Sequence, residues 1–116
     1  MSDFVTLKSN PDFRRLYNRG KAITDPALVI YYSNNRAGIC RIGITTSKKI
    51  GNAVERNHSR RLLKEAFRSV CPRVKPQYDI VIVARSKTKY VKSTRLADIM
   101  TDIFEKEGML ITESDE

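Results

Sequence analysis

Between positions 48 and 68 the chain sets cations one helical turn apart. Arg56, Arg60, Lys64 and Arg68 follow at i, i+4 intervals, with Arg61 beside them and Lys48 and Lys49 ahead. The stretch Lys48 to Arg68 holds seven bases and two acids. Like charges at i, i+4 repel by roughly 0.2–0.5 kcal/mol per pair, so local helix stability does not choose this row. A phosphate backbone offsets the repulsion: arginine's planar fork binds phosphate oxygens two at a time, and lysine adds a compact charge. The chemistry offered is polyanion binding. Bond-making chemistry lacks its parts. The one histidine, His58, lies inside the basic run, which lowers an imidazole's basicity and counts against a Ser-His-Asp site. With one His and no Cys-x-x-Cys, a zinc site has too few ligands.

The row needs a helix to align it. The sequence predicts one over Ala53 to Val70, ending before Pro72. On a wheel at about 100° per residue with Arg56 at zero, Arg60, Lys64, Asn57, Arg68 and Arg61 fall at about 40° to 140°. Leu62, Ala66, Val70 and Leu63 fall at about 240° to 340°, with Phe67 near 20° and His58 near 200°. One arc is cationic and the other belongs to a core. A solvated helix face is the plain alternative, but acids that would normally interleave are nearly absent there.

That helix must pack on something. A first helix opens at Ser9-Asn10-Pro11-Asp12, with Asn10 as cap and Gly20 as stop, and Phe13, Leu16 and Tyr17 on one side. Ala22-Ile23-Thr24 reads as a short strand, Ala27 to Tyr32 as a second and Ile39 to Thr46 as a third. The turn chemistry of Ser33 to Gly38 predicts that the last two form an antiparallel hairpin. Ser47 to Asn52 is a loop before the basic helix. Tyr78 to Ala84 is the most apolar strand and reads as central; Ser86 to Lys92 is a basic loop. Ser93 caps a last helix through about Glu107, burying Leu96, Ile99, Met100, Ile103 and Phe104. The order α-β-β-β-α-β-α makes an α+β domain, a mixed sheet with packed helices.

Composition sets the bounds. The 116 residues suffice for one domain, ordered from about 5 to 110 with an acidic tail at 111–116. Net charge is +9, and it is segregated: from Asp98 onward seven acids meet one base, leaving 21 bases against six acids in the first 97 residues. The excess points to nucleic acid before an anionic membrane. No apolar run reaches the roughly 18 residues of a membrane span, and Asp3, Asp12, Arg14, Arg15 and Arg19 rule out a signal-peptide core in the first 20 residues. Cys40 and Cys71 are too few for a secreted disulfide framework and read as buried thiols, which favours an intracellular, cytoplasmic protein.

The stretch Ser47-Lys48-Lys49-Ile50-Gly51-Asn52-Ala53-Val54-Glu55-Arg56-Asn57-His58-Ser59-Arg60-Arg61 and its continuation to Arg68 resembles the signature of the bacterial ribonuclease P protein subunit. That family has a Ser-Lys-Lys-x-Gly-x-Ala-Val loop followed by an Arg-Asn-Arg helix. Asp12-Phe13-x-x-x-Tyr17-x-x-Gly20, Arg41-x-Gly43 and Tyr78 to Arg85 agree with it, so the resemblance covers about residues 5 to 107. His58 stands where the family has its second Arg; a neutral imidazole keeps hydrogen bonding but loses the fixed charge and the fork.

The resemblance implies a protein that joins a catalytic RNA, one to one, to remove the 5′ leader of precursor tRNA. Hydrolysis would lie in the RNA with Mg²⁺, with no catalytic residue, metal or cofactor on this chain alone. It implies that Lys48, Lys49, Arg56, Asn57, His58, Arg60, Arg61, Lys64 and Arg68 face the RNA subunit. Phe13, Tyr17 and Tyr31 would line a leader cleft, where aromatic faces stack on unpaired bases. It also implies a left-handed β-α-β crossover through the basic helix, within a fold of the type found in a small-subunit ribosomal protein domain, against the usual right hand. A plain RNA-binding module, such as a ribosome-associated protein, would share the basic helix but not the aromatic cleft. A protein-only hydrolase is disfavoured by the missing acid cluster. Membrane-surface binding is disfavoured by the helix's small exposed apolar face.

Overall fold

Tyr78 to Ala84 is buried at six of its seven positions, so it needs a strand on each edge and cover on both faces. The computed structural model, which describes residues 4–112, provides both. The chain runs β1 (Phe4–Thr6), α1 (Asn10–Arg19), β2 (Lys21–Thr24), β3 (Leu28–Asn34), β4 (Cys40–Thr45), α2 (Ala53–Val70), β5 (Tyr78–Ala84) and α3 (Ser93–Lys106). Short 3₁₀ turns lie at Lys48–Ile50, Cys71–Arg73 and Thr88–Tyr90. The strands form one mixed sheet in the order β1-β4-β5-β3-β2. β5 is central as the sequence predicts, antiparallel to β3 and parallel to β4. β4, α2 and β5 therefore make a β-α-β crossover between adjacent parallel strands. Residues 113–116, most of the expected acidic tail, lie outside the described residues.

Three expectations are corrected. The hairpin of the second and third strands does not form, because β5 inserts between β3 and β4. A strand apolar on both faces gains more by taking the middle than by an edge. The connection from Asn34 to Cys40 spans the roughly 10 Å across it. Asn35 secures that crossing, its N–H donating to the Gln77 carbonyl (2.6 Å) and its Nδ2 to the Ile39 carbonyl (3.1 Å). Second, the sheet gains β1, parallel to β4 through Phe4↔Cys40. Three residues carry too little periodicity to be seen in sequence. Third, the caps shift by one: Ser9 caps α1, its hydroxyl accepting from the Asp12 N–H, and Lys92 precedes α3 with no side-chain cap. α3 ends at Lys106, and Gly108 follows at φ +71°.

Strand alternation divides the sheet into two faces. Leu28, Ile30, Ile42, Ile80 and Ile82 point to α2 and α3, where they meet Leu63, Phe67, Leu96, Met100 and Phe104. Phe67 stacks edge-on with Phe4 (5.3 Å) and Phe104 (6.2 Å). Cys40 and Cys71 are free thiols in this core, and burial pushes Cys40 up to about 12. The other face is thinner. Leu7, Leu16 and Val81 are buried there, with Phe13, Tyr31 and Val83 at their margin.

One residue on that second face is charged and wholly buried. The Asp79 carboxylate accepts two bonds from Arg41 (Nε and Nη2, both 2.7 Å), one from Arg15 (2.6 Å) and one from Asn35 (2.8 Å). It joins α1, the β3–β4 connection, β4 and β5. Burial alone would raise its pKa, but the bonds from Arg41, Arg15 and Asn35 outweigh burial and hold it below the ordinary carboxylate range.

The native protein thus gives up this proton more readily than the unfolded chain does. The stabilisation is complete above the ordinary carboxylate value near pH 4 and is lost as pH falls through the lower native value. Arg41→Met is expected to cost about 2–3 kcal/mol at pH 7, below the figure for a fully buried pair because Arg41 is partly exposed. The variant should also lose part of the wild-type dependence between about pH 5 and pH 2. Urea denaturation across that range checks both. Superimposed midpoints for the two proteins would remove Asp79 from this role.

Candidate nucleic-acid interface

α2 begins on a closed set of caps. The Asn52 Oδ1 accepts from the Glu55 N–H (2.9 Å), while a Glu55 carboxylate oxygen accepts from the Asn52 N–H (3.1 Å). Ahead of it, Ile50 is buried and Gly51 sits at φ +143°, a conformation that favours glycine. Lys89 fastens the segment from outside, donating to the Ile50 carbonyl (3.0 Å) and to Glu55 (2.6 Å). Its hydrogen bond, with the one from Asn52, holds the Glu55 carboxyl below the usual range. The loop carrying Lys48 and Lys49 is therefore pinned at its base, while both lysines remain exposed.

The helix then divides as the wheel predicts, with one adjustment. Ser59, Leu63, Ala66, Phe67 and Val70 are buried, so Leu62 is left half-buried at the rim. Arg60, Arg61, Lys64 and Arg68 are exposed, as are Asn57 and His58, and Arg56 is half-buried. Among the described residues no carboxylate pairs with Arg56, Arg60, Arg61, Lys64 or Arg68. Glu65 shares a shallow depression with His58, Arg61, Lys64 and Arg68 without forming such a pair. Arg56 donates to the Gly51 carbonyl (2.9 Å), so part of its capacity is spent on its own loop. Arg60 and Lys64 also wall a cavity of about 210 Å³ with Phe4, Leu7, Ile42 and Ile44. The basic face thus overhangs the β1–β4 edge.

On the opposite face the three predicted aromatics come together. Tyr17 and Tyr31 stack edge-on at 4.9 Å, and Phe13 lies 6.5 Å from Tyr17. Tyr17 is 42% exposed, while Phe13 and Tyr31 are half-buried. Phe13 rests directly on the β4 backbone: a Cβ on Gly43 would lie 2.5 Å from its ring. Phe13 therefore has one side in the core and one at the cleft.

Sequence reasoning misses how these two surfaces meet. The Tyr17 hydroxyl donates to Thr45 Oγ1 (3.4 Å), and Arg60 donates to Thr46 Oγ1 (3.0 Å) and Asn57 Oδ1 (2.9 Å). Two adjacent threonines at the end of β4 thus join the aromatic cleft to the basic strip. Arg15, Arg41, Asp79 and Lys89 are also missed as positioning residues. Each acts through long-range pairing, which leaves no local periodicity.

Comparison with known proteins bears on the family and the fold. A family model described as Ribonuclease P matches residues 1–108. The chain is 37% identical to the ribonuclease P protein component of Clostridium novyi, over 89% of this chain and 93% of that one. It is 46% identical to that of Clostridioides difficile, over 72% and 74%. The RNase P protein of Staphylococcus aureus superposes with a TM-score of 0.79 at 29% identity, covering 91% of this chain and 97% of that one. The RNase P protein of Thermotoga maritima shares the fold, with a TM-score of 0.77 at 24% identity over 87% and 96%.

The unpaired cations make a quantitative claim. Arg60→Ala with Arg61→Ala should lower the slope of log affinity against log salt for single-stranded RNA by about 1.4, from about 0.7 per lost phosphate contact. Thermal unfolding should stay near wild type, because both side chains are exposed. Filter binding over a salt series reads the slope; an unchanged slope would mean that neither guanidinium meets a phosphate.

Proposed function

The chain belongs to the ribonuclease P protein family, and from that premise we propose how its two joined surfaces divide the work of removing the 5′ leader from precursor tRNA. The protein component supports ribonuclease P activity as part of a holoenzyme with an RNA subunit. In our reading, Lys48, Lys49, Arg56, Asn57, His58, Arg60, Arg61, Lys64 and Arg68 hold that RNA, and Phe13, Tyr17 and Tyr31 hold the leader. The observation that carries this reading is the continuity at Thr45 and Thr46. A strand leaving the basic face of α2 would pass over the uncharged Thr45 and Thr46 to reach the aromatic cleft.

The mechanism for this chain is positioning. Arginine forks on α2 engage backbone phosphates and fix orientation without reading sequence. The aromatic faces stack on leader bases, at about 1–3 kcal/mol per base, whatever the sequence. His58 adds a hydrogen-bonding group on the exposed flank, where the family has a fixed charge. Among the described residues no group of three His, Cys, Asp or Glu is arranged to hold a metal ion. We assign the expected Mg²⁺ to the RNA subunit, as the likeness to the family implies, where it would supply water activation for phosphodiester hydrolysis. One protein per RNA and a cytoplasmic location complete the proposal. Among the described residues no helix is long and apolar enough to cross a membrane.

A holoenzyme reconstituted with the catalytic RNA is expected to bind a precursor with a long leader more tightly than one with a single-nucleotide leader. Tyr17→Ala should remove most of that gain, about 5- to 150-fold for one stacked base, while assembly with the RNA stays intact. Equal affinity for both precursors in the wild-type holoenzyme would refute leader binding and leave a general RNA-binding module. Equal losses in both assays for Tyr17→Ala would assign that residue to folding.

A further inference from the structure

A second group of unopposed cations gathers where β4 and β5 end. The two strands are parallel neighbours, so the segments that leave them emerge at one edge of the sheet. Lys89 ties the segments together through the Ile50 carbonyl and Glu55. From Arg85 to Arg95 the chain has five bases and no acid. Two are engaged: Lys89 by Glu55, and Arg85 by donation to the Asp25 carbonyl (2.9 Å). Lys87, Lys92 and Arg95 are exposed, and among the described residues no carboxylate pairs with them. Lys92 and Arg95 stand at the start of α3, where the helix dipole favours acids, and α3 has none in its first turn. As on α2, the charge is placed against local stability.

Amid these cations stands Tyr90, 80% exposed. Its backbone is held firmly. Buried Thr88 donates to the Ala27 carbonyl (2.5 Å) and accepts from the Arg85 N–H (2.8 Å), and the Tyr90 N–H donates to the Lys87 carbonyl (3.0 Å). The Lys89 ammonium lies over the ring, 5.4 Å from its centre. A bare aromatic face on a fixed turn, with exposed Lys87 and Lys92 close to it along the chain on either side, fits an unpaired base with phosphates on either side. An acidic protein surface would satisfy the charges but would leave the ring without a flat partner.

We propose that Tyr90 is a stacking platform for an unpaired base of the RNA subunit, with Lys87 and Lys92 on the flanking phosphates. The proposal rests on the reading of α2 as the RNA-bound face and extends that face around the end of the helix. It assigns Tyr90 no role in the leader cleft.

The test uses the full-length chain titrated onto the catalytic RNA. Tyr90→Ala is expected to weaken binding about 5- to 150-fold, the range for one base stack. Tyr90→Phe should remain within about twofold, because stacking needs the ring and not the hydroxyl. Lys87→Ala with Lys92→Ala should lower the salt slope by about 1.4. Melting temperatures should match wild type, since all three side chains are exposed. Wild-type affinity for Tyr90→Ala, or equal losses for Ala and Phe, would overturn the proposal. Arg60→Ala with Arg61→Ala is measured alongside. If it weakens binding while Tyr90→Ala does not, only this proposal fails; if neither weakens binding, the reading of α2 fails as well.

Discussion

Asp79 has no contact with water, yet its charge is met from three directions. A buried ion pair adds little net stability over a well-packed apolar substitute, but an unmet one is expensive. The carboxylate therefore acts as a condition on the fold. β5 must lie where Arg41 on β4, Arg15 on α1 and the β3–β4 connection all reach it. A slip of one residue in β5 would turn Asp79 toward α2 and α3, where the core offers only apolar contacts. The pairing thus helps to fix which strand is central, in which register, and where α1 lies.

That arrangement decides where the functional surfaces fall. α1 is held on its sheet face by Arg15, with Tyr17 exposed and Tyr31 half-buried at its margin. Gly43 belongs to the same design, since only a missing side chain lets Phe13 lie on β4. The parallel placement of β4 beside β5 requires a crossover, and that crossover is α2. One apolar side of α2 closes the larger core, so its cationic side must face outward.

The cationic side carries a cost in self-repulsion that the fold offsets from beneath. Phe67, Leu63 and Val70 anchor the helix through burial, and Asn52, Glu55 and Lys89 secure its first turn. Glu65 lies beside the strip without forming an ion pair with it, and other acids are engaged or buried. Glu55 is taken by Lys89, Asp79 is buried, and Glu107 accepts from Lys21 and Tyr32. Charge segregation along the chain thus becomes segregation in space.

Local pattern made much of this legible. The span of α2, its two arcs, the apolar stripe of α3 and the character of β5 all follow from periods of 3.6 and 2, which a linear sequence displays. The side-chain types of the strip and of the aromatic trio were equally plain, and their resemblance to a known signature named the partner. What the sequence did not display were contacts between distant positions. The hairpin of β3 and β4 was the natural local reading and was wrong, because β5, more than thirty residues later, competes for both edges. β1 is too short to announce itself, the Asp79 hub joins residues up to 64 positions apart, and the meeting of cleft and strip at Thr45 and Thr46 depends on how α1 and α2 flank one strand. Residue chemistry and helical period are properties of neighbours along the chain, so the sequence alone determined what kind of surface this protein presents. Pairing and register are settled by competition among all strands for the same burial, so only the tertiary structure decided where those surfaces meet.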